Sequence, residues 1–209
     1  MHPMDEARNV RDFWFGKLPL SAEGFNRRMP FWFGDESSAM RQRRDEHIRV
    51  RFGALVERAA RGELASWADG PRRRLSLILL LDQFPRNLFR GTARAFATDA
   101  PALALTLSGM QSAADAALEV VERIFFYMPL QHAESRQVQE ESAAAYRRLL
   151  SEAPPELHAH FASTLRCAEN HRAIIERFGR FPYRNHALGR SNTPEERDWL
   201  SGGGSSFGQ

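Results

Sequence analysis

The stretch Leu75–Asp99, LSLILLLDQFPRNLFRGTARAFATD, constrains this chain most. Leu75, Leu77, Ile78, Leu79, Leu80 and Leu81 cover nearly every direction around a helix axis, so a helix here must be buried on most sides. Gly70-Pro71 opens it, since proline suits the first helical position. Pro85 should close it, because an internal proline lacks a donor and crowds the carbonyl four residues back. A helix that stops at Phe84–Pro85 delivers Asp82, Gln83, Arg86, Asn87 and Arg90 to the rim of a cavity.

The rest of the chain reads as helix after helix, with no apolar/polar alternation long enough for a strand. Asp5 to Phe15 is a short helix stopped at Gly16. A turn-rich stretch holding Pro19, Gly24 and Pro30 follows. It separates two similar clusters, Phe13-Trp14-Phe15-Gly16 and Phe31-Trp32-Phe33-Gly34, whose aromatics anchor a segment to a core. Asp35 reads as the N-cap of a long helix to about Arg61, with Ile48, Phe52, Leu55 and Val56 on its apolar face. Asp99 reads as the N-cap of an Ala/Leu helix that Gly109 ends. Further helices follow around Leu118–Phe125, from His132 to Leu150, from Leu157 to Phe178, and after the capping box Thr193-Pro194-Glu195-Glu196. The expected fold is all-α, stacked antiparallel helix pairs in one domain over residues 1–200, with a flexible Gly/Ser tail at 201–209. No regular repeat period is visible.

Composition narrows the function classes. Hydrophobic residues make up 43% and charged residues 26%, as in soluble globular proteins. Of the 29 basic residues only Lys17 is a lysine, and the net charge of +3 does not by itself argue for nucleic acid. The one cysteine, Cys167, forbids an intrachain disulfide and fits a reducing compartment. The first ten residues carry no apolar signal segment, and the longest aliphatic run, Leu77–Leu81, is far short of the roughly 20 residues that span a bilayer. A cytoplasmic protein with no membrane partner is expected. The triple arginine Arg72–Arg74 sits in a first helical turn, where the dipole disfavours cations; it is read as solvated rather than as part of the site.

Three polar groups are candidates for a site. Asp82, Gln83, Arg86, Asn87 and Arg90 suit carboxylate or phosphate through bidentate guanidinium contacts, or simply tie down a corner of the fold. Tyr127 precedes Gln131-His132-Ala133-Glu134, where His132 at a helix start is neutral and, beside Glu134, can act as a general base; the alternative is a helix cap. Arg180, Arg184 and Asn185 lie in an irregular, aromatic loop that ends at Arg190 and suits an anion or single-stranded RNA, or is pinned by its own aromatics. Metal is not expected at the His158, His160 and His171 set, because no histidine there has a histidine four residues on or a glutamate three residues before it. Cys167 has no histidine beside it in the sequence, so a cysteine nucleophile is unsupported. No P-loop or G-x-G-x-x-G is present and no cofactor is expected.

Together, LLLDQFPRNLFRGTARAFATD, ERIFFYMPLQHAE and RFGRFPYRNHALGRSNTPEE, with FWFG near the start, resemble the signatures of the mostly bacterial family known as domain of unknown function 924. The resemblance spans roughly Val10 to Leu200. It implies a fold like that of tetratricopeptide-repeat proteins and implies no activity. Two positions depart from the family pattern: Gln131-His132-Ala133-Glu134 stands where M-H-S-E is usual, and Tyr183 stands where a histidine follows the proline. His132 and Glu134 survive this; a mechanism needing the second imidazole does not. The first reading is a binding module for an anionic small molecule or an acidic peptide. The second is an enzyme acting on a phosphorylated or carboxylated small molecule, with His132 as base. RNA binding is the weakest.

Overall fold

The structure is a computed structural model and describes residues 3–34 and 37–204. Every regular element among the described residues is helical: α1 (Pro3–Phe15), α2 (Ala22–Phe33), α3 (Ser38–Ala60), α4 (Pro71–Ile78), α5 (Phe84–Leu88), α6 (Asp99–Gln111), α7 (Val120–Phe126), α8 (Met128–His132), α9 (Arg136–Glu152), α10 (His158–Phe178) and α11 (Pro194–Ser201). The fold is all-α. α9 and α10, joined through residues 153–157, run along each other as the most extensive pair. Elsewhere α4 is the hub, packed against α1, α6 and α7, while α3 lies on α5. Leu75, Ile78, Leu79 and Leu80 are fully buried, as their all-round apolar pattern requires.

The segment after Gly16 is not a run of turns. Ser21 caps α2 by accepting from the Gly24 amide, and the helix continues through Pro30. Gly24 and Pro30 are outweighed by burial of Phe25 and Trp32. The two aromatic clusters turn out to be the same device used twice. Each ends a helix at a glycine with positive φ, 74° at Gly16 and 80° at Gly34, a conformation that costs glycine nothing. They pack on each other: Phe13 on Phe31 with ring centroids 5.5 Å apart, and the Trp32 indole N–H donating to the Trp14 carbonyl at 2.9 Å. Asp35 lies outside the described residues; Ser37 caps α3 through the Met40 amide. Gly109 does not end α6 but sits inside it. A Cβ there would lie 2.5 Å from Phe126 Cζ and 2.9 Å from Arg74 Cδ, so glycine lets α6 approach its neighbours. Residues 205–209 of the expected tail lie outside the described residues.

The largest departure is at Pro85. The helix does not stop there. α4 passes into a π-turn over Leu79–Gln83, and α5 resumes with Pro85 in its first turn. The Phe84 amide reaches back five residues, to the Leu79 carbonyl. This wider turn accommodates the proline ring, and the carbonyls it displaces find other donors. The Thr98 hydroxyl donates to the Leu81 carbonyl, Arg86 Nη1 to that of Asp82 at 2.7 Å, and Asn87 Nδ2 to that of Gln83 at 2.8 Å. Thr98, not Asp99, holds the N-cap position of α6, which leaves the Asp99 carboxylate for other work.

Glycine-to-alanine substitutions at two helical sites should differ in sign. At Gly53, with no heavy atom within 4 Å of a new Cβ, alanine should stabilise by up to about 1 kcal/mol. At Gly109 the overpacking against buried Phe126 should outweigh that gain and destabilise by about 1–2 kcal/mol. Urea unfolding of both variants decides it; stabilisation at both sites would refute the close approach.

Candidate functional site

The candidate residues divide into a buried centre, an outer brace and outliers. The centre forms where the π-turn presents Asp82. Asp82 is fully buried, so its charge must be met by donors at short range. Gln83 Nε2 donates to Asp82 Oδ2 at 2.6 Å, and His132 Nδ1 to Asp82 Oδ1 at 2.7 Å. Arg86 Nη1 lies 3.3 Å from Asp82 Oδ1. Arg86 also makes a bidentate pair with Asp99, at 2.8 and 2.9 Å, and Arg184 Nη1 donates to Asp99 Oδ2 at 3.2 Å. The Arg184 guanidinium lies over Phe181 and Phe96, 4.5 and 4.7 Å from their ring centroids. Its Nη2 is buried and has no hydrogen-bond partner among the described residues.

These groups set one another's protonation. Burial raises the Asp82 carboxyl, but Arg86 and His132 outweigh it and hold it well below the usual carboxylate range. Burial opposes the charge on Arg86, but Asp82 and Asp99 hold it on. The His132 imidazole is pushed down, first by burial and then by Arg86, against the pull of Asp82. It is therefore neutral near pH 7. With Nδ1–H donated to Asp82, Nε2 keeps its lone pair. The expected cause was wrong: His132 is the last residue of α8, so no helix N-terminus acts on it. The expected partner was wrong too. Asp82, not Glu134, orients the ring. The His132 backbone is held by Gln139, whose buried amide donates to the carbonyls of Leu130, Gln131 and Ala133 at 3.2, 2.8 and 2.8 Å.

Glu134, Arg180 and Asn185 form the outer brace. Glu134 accepts from the Phe181 amide at 2.8 Å and pairs with Arg190 through both oxygens, at 2.7 and 2.9 Å. Arg190 Nε donates to Asn185 Oδ1 at 2.9 Å, and Asn185 Nδ2 to Glu196 Oε2 at 3.2 Å. Arg180 chelates Glu196 at 2.7 and 2.8 Å. This brace fixes the loop that carries Phe181 and Arg184. The remaining candidates point elsewhere. Asn87 serves the Gln83 carbonyl, Arg90 pairs with Asp45 of α3 at 3.5 Å, and the Tyr127 hydroxyl bonds Asp115.

Sequence reasoning missed the roles of Asp99 and Phe96, and weighed His171 only as a metal ligand. Asp99 was visible at the end of the organising stretch but was assigned to a cap. His171 stacks edge-on to His132, with centroids 6.1 Å apart, and its Nδ1 donates to the Cys167 carbonyl at 2.9 Å. It also corrects the reading of Cys167, whose Sγ lies 3.8 Å from His171 Nδ1, one helical turn away. That contact does not activate the thiol: burial pushes Cys167 up to about 11 and His171 down to about 3, so both are neutral.

The neutral histidines carry a pH dependence. Their folded-state pKa values lie below the ordinary value near 6.5, so below that pH the unfolded chain binds protons that the folded chain refuses. Stability is present above about pH 6.5 and falls as pH drops, by up to about 1.4 kcal/mol per pH unit per histidine. His171→Gln should remove one such contribution and flatten the slope between about pH 5 and 6.5, read by urea unfolding across pH. An unchanged slope would contradict a neutral buried His171.

A search of curated protein sequences finds no match. The solved structure of an Agrobacterium tumefaciens protein of unknown function superposes with a TM-score of 0.77 at 36% identity, covering 96% of this chain and 99% of that one. The family described as "Bacterial protein of unknown function (DUF924)" matches residues 10–204. The helical architecture and the match over nearly the whole length agree, and the chain belongs to the DUF924 family.

Proposed function

We propose that the protein is a binding module that takes a small anionic ligand, bearing a carboxylate or phosphate, at the rim of the Asp82–Arg86–Asp99–Arg184–His132 network. The observation that carries this is Arg184 Nη2, a buried guanidinium donor left without a partner. An unpartnered buried donor is costly, on the order of 1–3 kcal/mol, and an anionic oxygen relieves that cost. The surroundings support the reading. Arg184 is held rigid between Phe96, Phe181 and Asp99, so little ordering is needed on binding. Two arginines and two aspartates balance within the network. A bound anion adds one negative charge, which His132 offsets by taking a proton at Nε2.

A second reading has its own support. Asp82 fixes the His132 tautomer at 2.7 Å and leaves Nε2 basic, the relation of an orienting carboxylate to a general base. In that case the ligand is a substrate and His132 removes a proton from it.

Thermal-shift titration with inorganic phosphate, acetate and succinate tests the first reading. Wild type should be stabilised in a saturable way by at least one of them. Arg184→Met should weaken that binding about tenfold or more, the loss of one charge-assisted bond. Calorimetry in buffers of different ionisation enthalpy should show net proton uptake on binding above pH 6.5, abolished in His132→Asn. No saturable shift with any probe, or equal affinity in Arg184→Met, would remove the proposal.

A further inference from the structure

The network just described occupies the C-terminal part of the helical run from Pro71 to Leu88. The other end of that run, about 15 Å away along the axis at 1.5 Å per residue, borders a separate cleft of about 660 Å³ between α1 and the start of α4. Arg8, Arg11, Asp12, Lys17, Arg72 and Arg73 line it. The arginine run read from sequence as merely solvated thus faces a concavity shared with α1.

The charges around this cleft do not cancel. Arg8 reaches Asp12 at 3.3 Å in an exposed pair, and Arg11 reaches the buried Glu122 at 2.9 Å. Lys17, Arg72 and Arg73 meet no carboxylate within ion-pair distance among the described residues. Five cations against Asp12 and Glu122 leave an excess of three, which equals the net charge of the whole chain, +3. The remainder of the sequence is balanced. Elsewhere on the surface some arginines are matched locally, Arg27 with Glu23, Arg49 with Glu46, Arg94 with Glu57 and Arg177 with Glu195, while exposed Arg51 and Arg166 form no ion pair among the described residues. The cleft therefore gathers three cations that form no ion pair among the described residues. It also sits at the positive end of α4, where the dipole adds to the repulsion among Arg72, Arg73 and Lys17. Such an arrangement is relieved by a bound anion.

We propose that this cleft binds a small polyanion carrying two or more phosphate or carboxylate groups. Its volume lies within the roughly 300–1,000 Å³ typical of small-molecule sites. Ala7 and Leu18 in its wall offer contact to a modest organic part. The three unmatched cations call for more than one negative charge, and the bounded volume of the cleft favours a compact ligand over a nucleic-acid backbone. This proposal stands apart from the one at Arg184 and shares no residue with it.

Isothermal titration of the full chain with inorganic tripolyphosphate, and in parallel with citrate, tests it. Wild type should bind one equivalent of at least one probe, with affinity that falls as salt rises. Arg72→Glu and Lys17→Glu, both at exposed positions, should each weaken binding about tenfold or more. Arg43→Glu, an exposed site of the same charge change on α3, should alter it by less than about twofold, the level of screened long-range charge. Absence of saturable binding, equal weakening by Arg43→Glu, or tighter binding of a single-stranded RNA oligonucleotide than of tripolyphosphate would each overturn the proposal. Far-UV circular dichroism establishes that each variant is folded; if Arg72→Glu is not, Lys17→Glu carries the test.

Discussion

A carboxylate with no access to water must have donors within hydrogen-bond reach, and Asp82 is such a carboxylate. Three different parts of the chain supply them: the adjacent Gln83, Arg86 one turn on, and His132 fifty residues away. Arg86 in turn needs Asp99, and Asp99 draws in Arg184 from beyond α10. One buried charge thereby fixes the relative placement of α5, α6, α8 and the loop after α10. A buried ionic network of this kind adds little net stability compared with an apolar core, because desolvation offsets much of the attraction. Its physical consequence is geometric: displacing any one of these elements would leave a buried charge without its partner.

The π-turn is what makes Asp82 available. An α-helix through Pro85 would set the ring against the Leu81 carbonyl; the extra residue in the turn relieves that contact and leaves carbonyls for Thr98, Arg86 and Asn87. The proline, the threonine and the arginine thus belong to one local solution. The same helical run carries the network toward its C-terminal end and the basic cleft at its N-terminal end. Its uniformly apolar middle holds both ends to the core.

Local signals in the sequence were reliable wherever the cause of the structure was local. The apolar pattern of Leu75–Leu81, Pro71 at a helix start, Gly16 at a helix end and the Thr193–Glu196 capping box all describe interactions within a few residues. Gly24, Pro30, Pro85 and Gly109 misled, because each is a helix breaker in isolation and each is tolerated here through distant packing or a distant donor. The candidate site divides the same way. Asp82, Arg86, His132 and Arg184 were visible as residue types suited to polar chemistry. The parts played by Asp99, Phe96 and His171 were not, since nothing near them in sequence shows where their side chains go.

The sequence by itself determined an all-α fold, a central apolar helix and the family to which the chain belongs, because periodicity, caps and motif spelling are properties of short stretches. Only the tertiary structure decided that the stretch from Leu75 to Asp99 is not a helix followed by a rim. It is a helical run that passes through its proline, with Asp82 turned into a closed network and Asp99 joining from the start of the next helix. Pairing of charges far apart in the chain decides this. The balance between desolvation and contact at each group depends on neighbours that the order of residues does not specify.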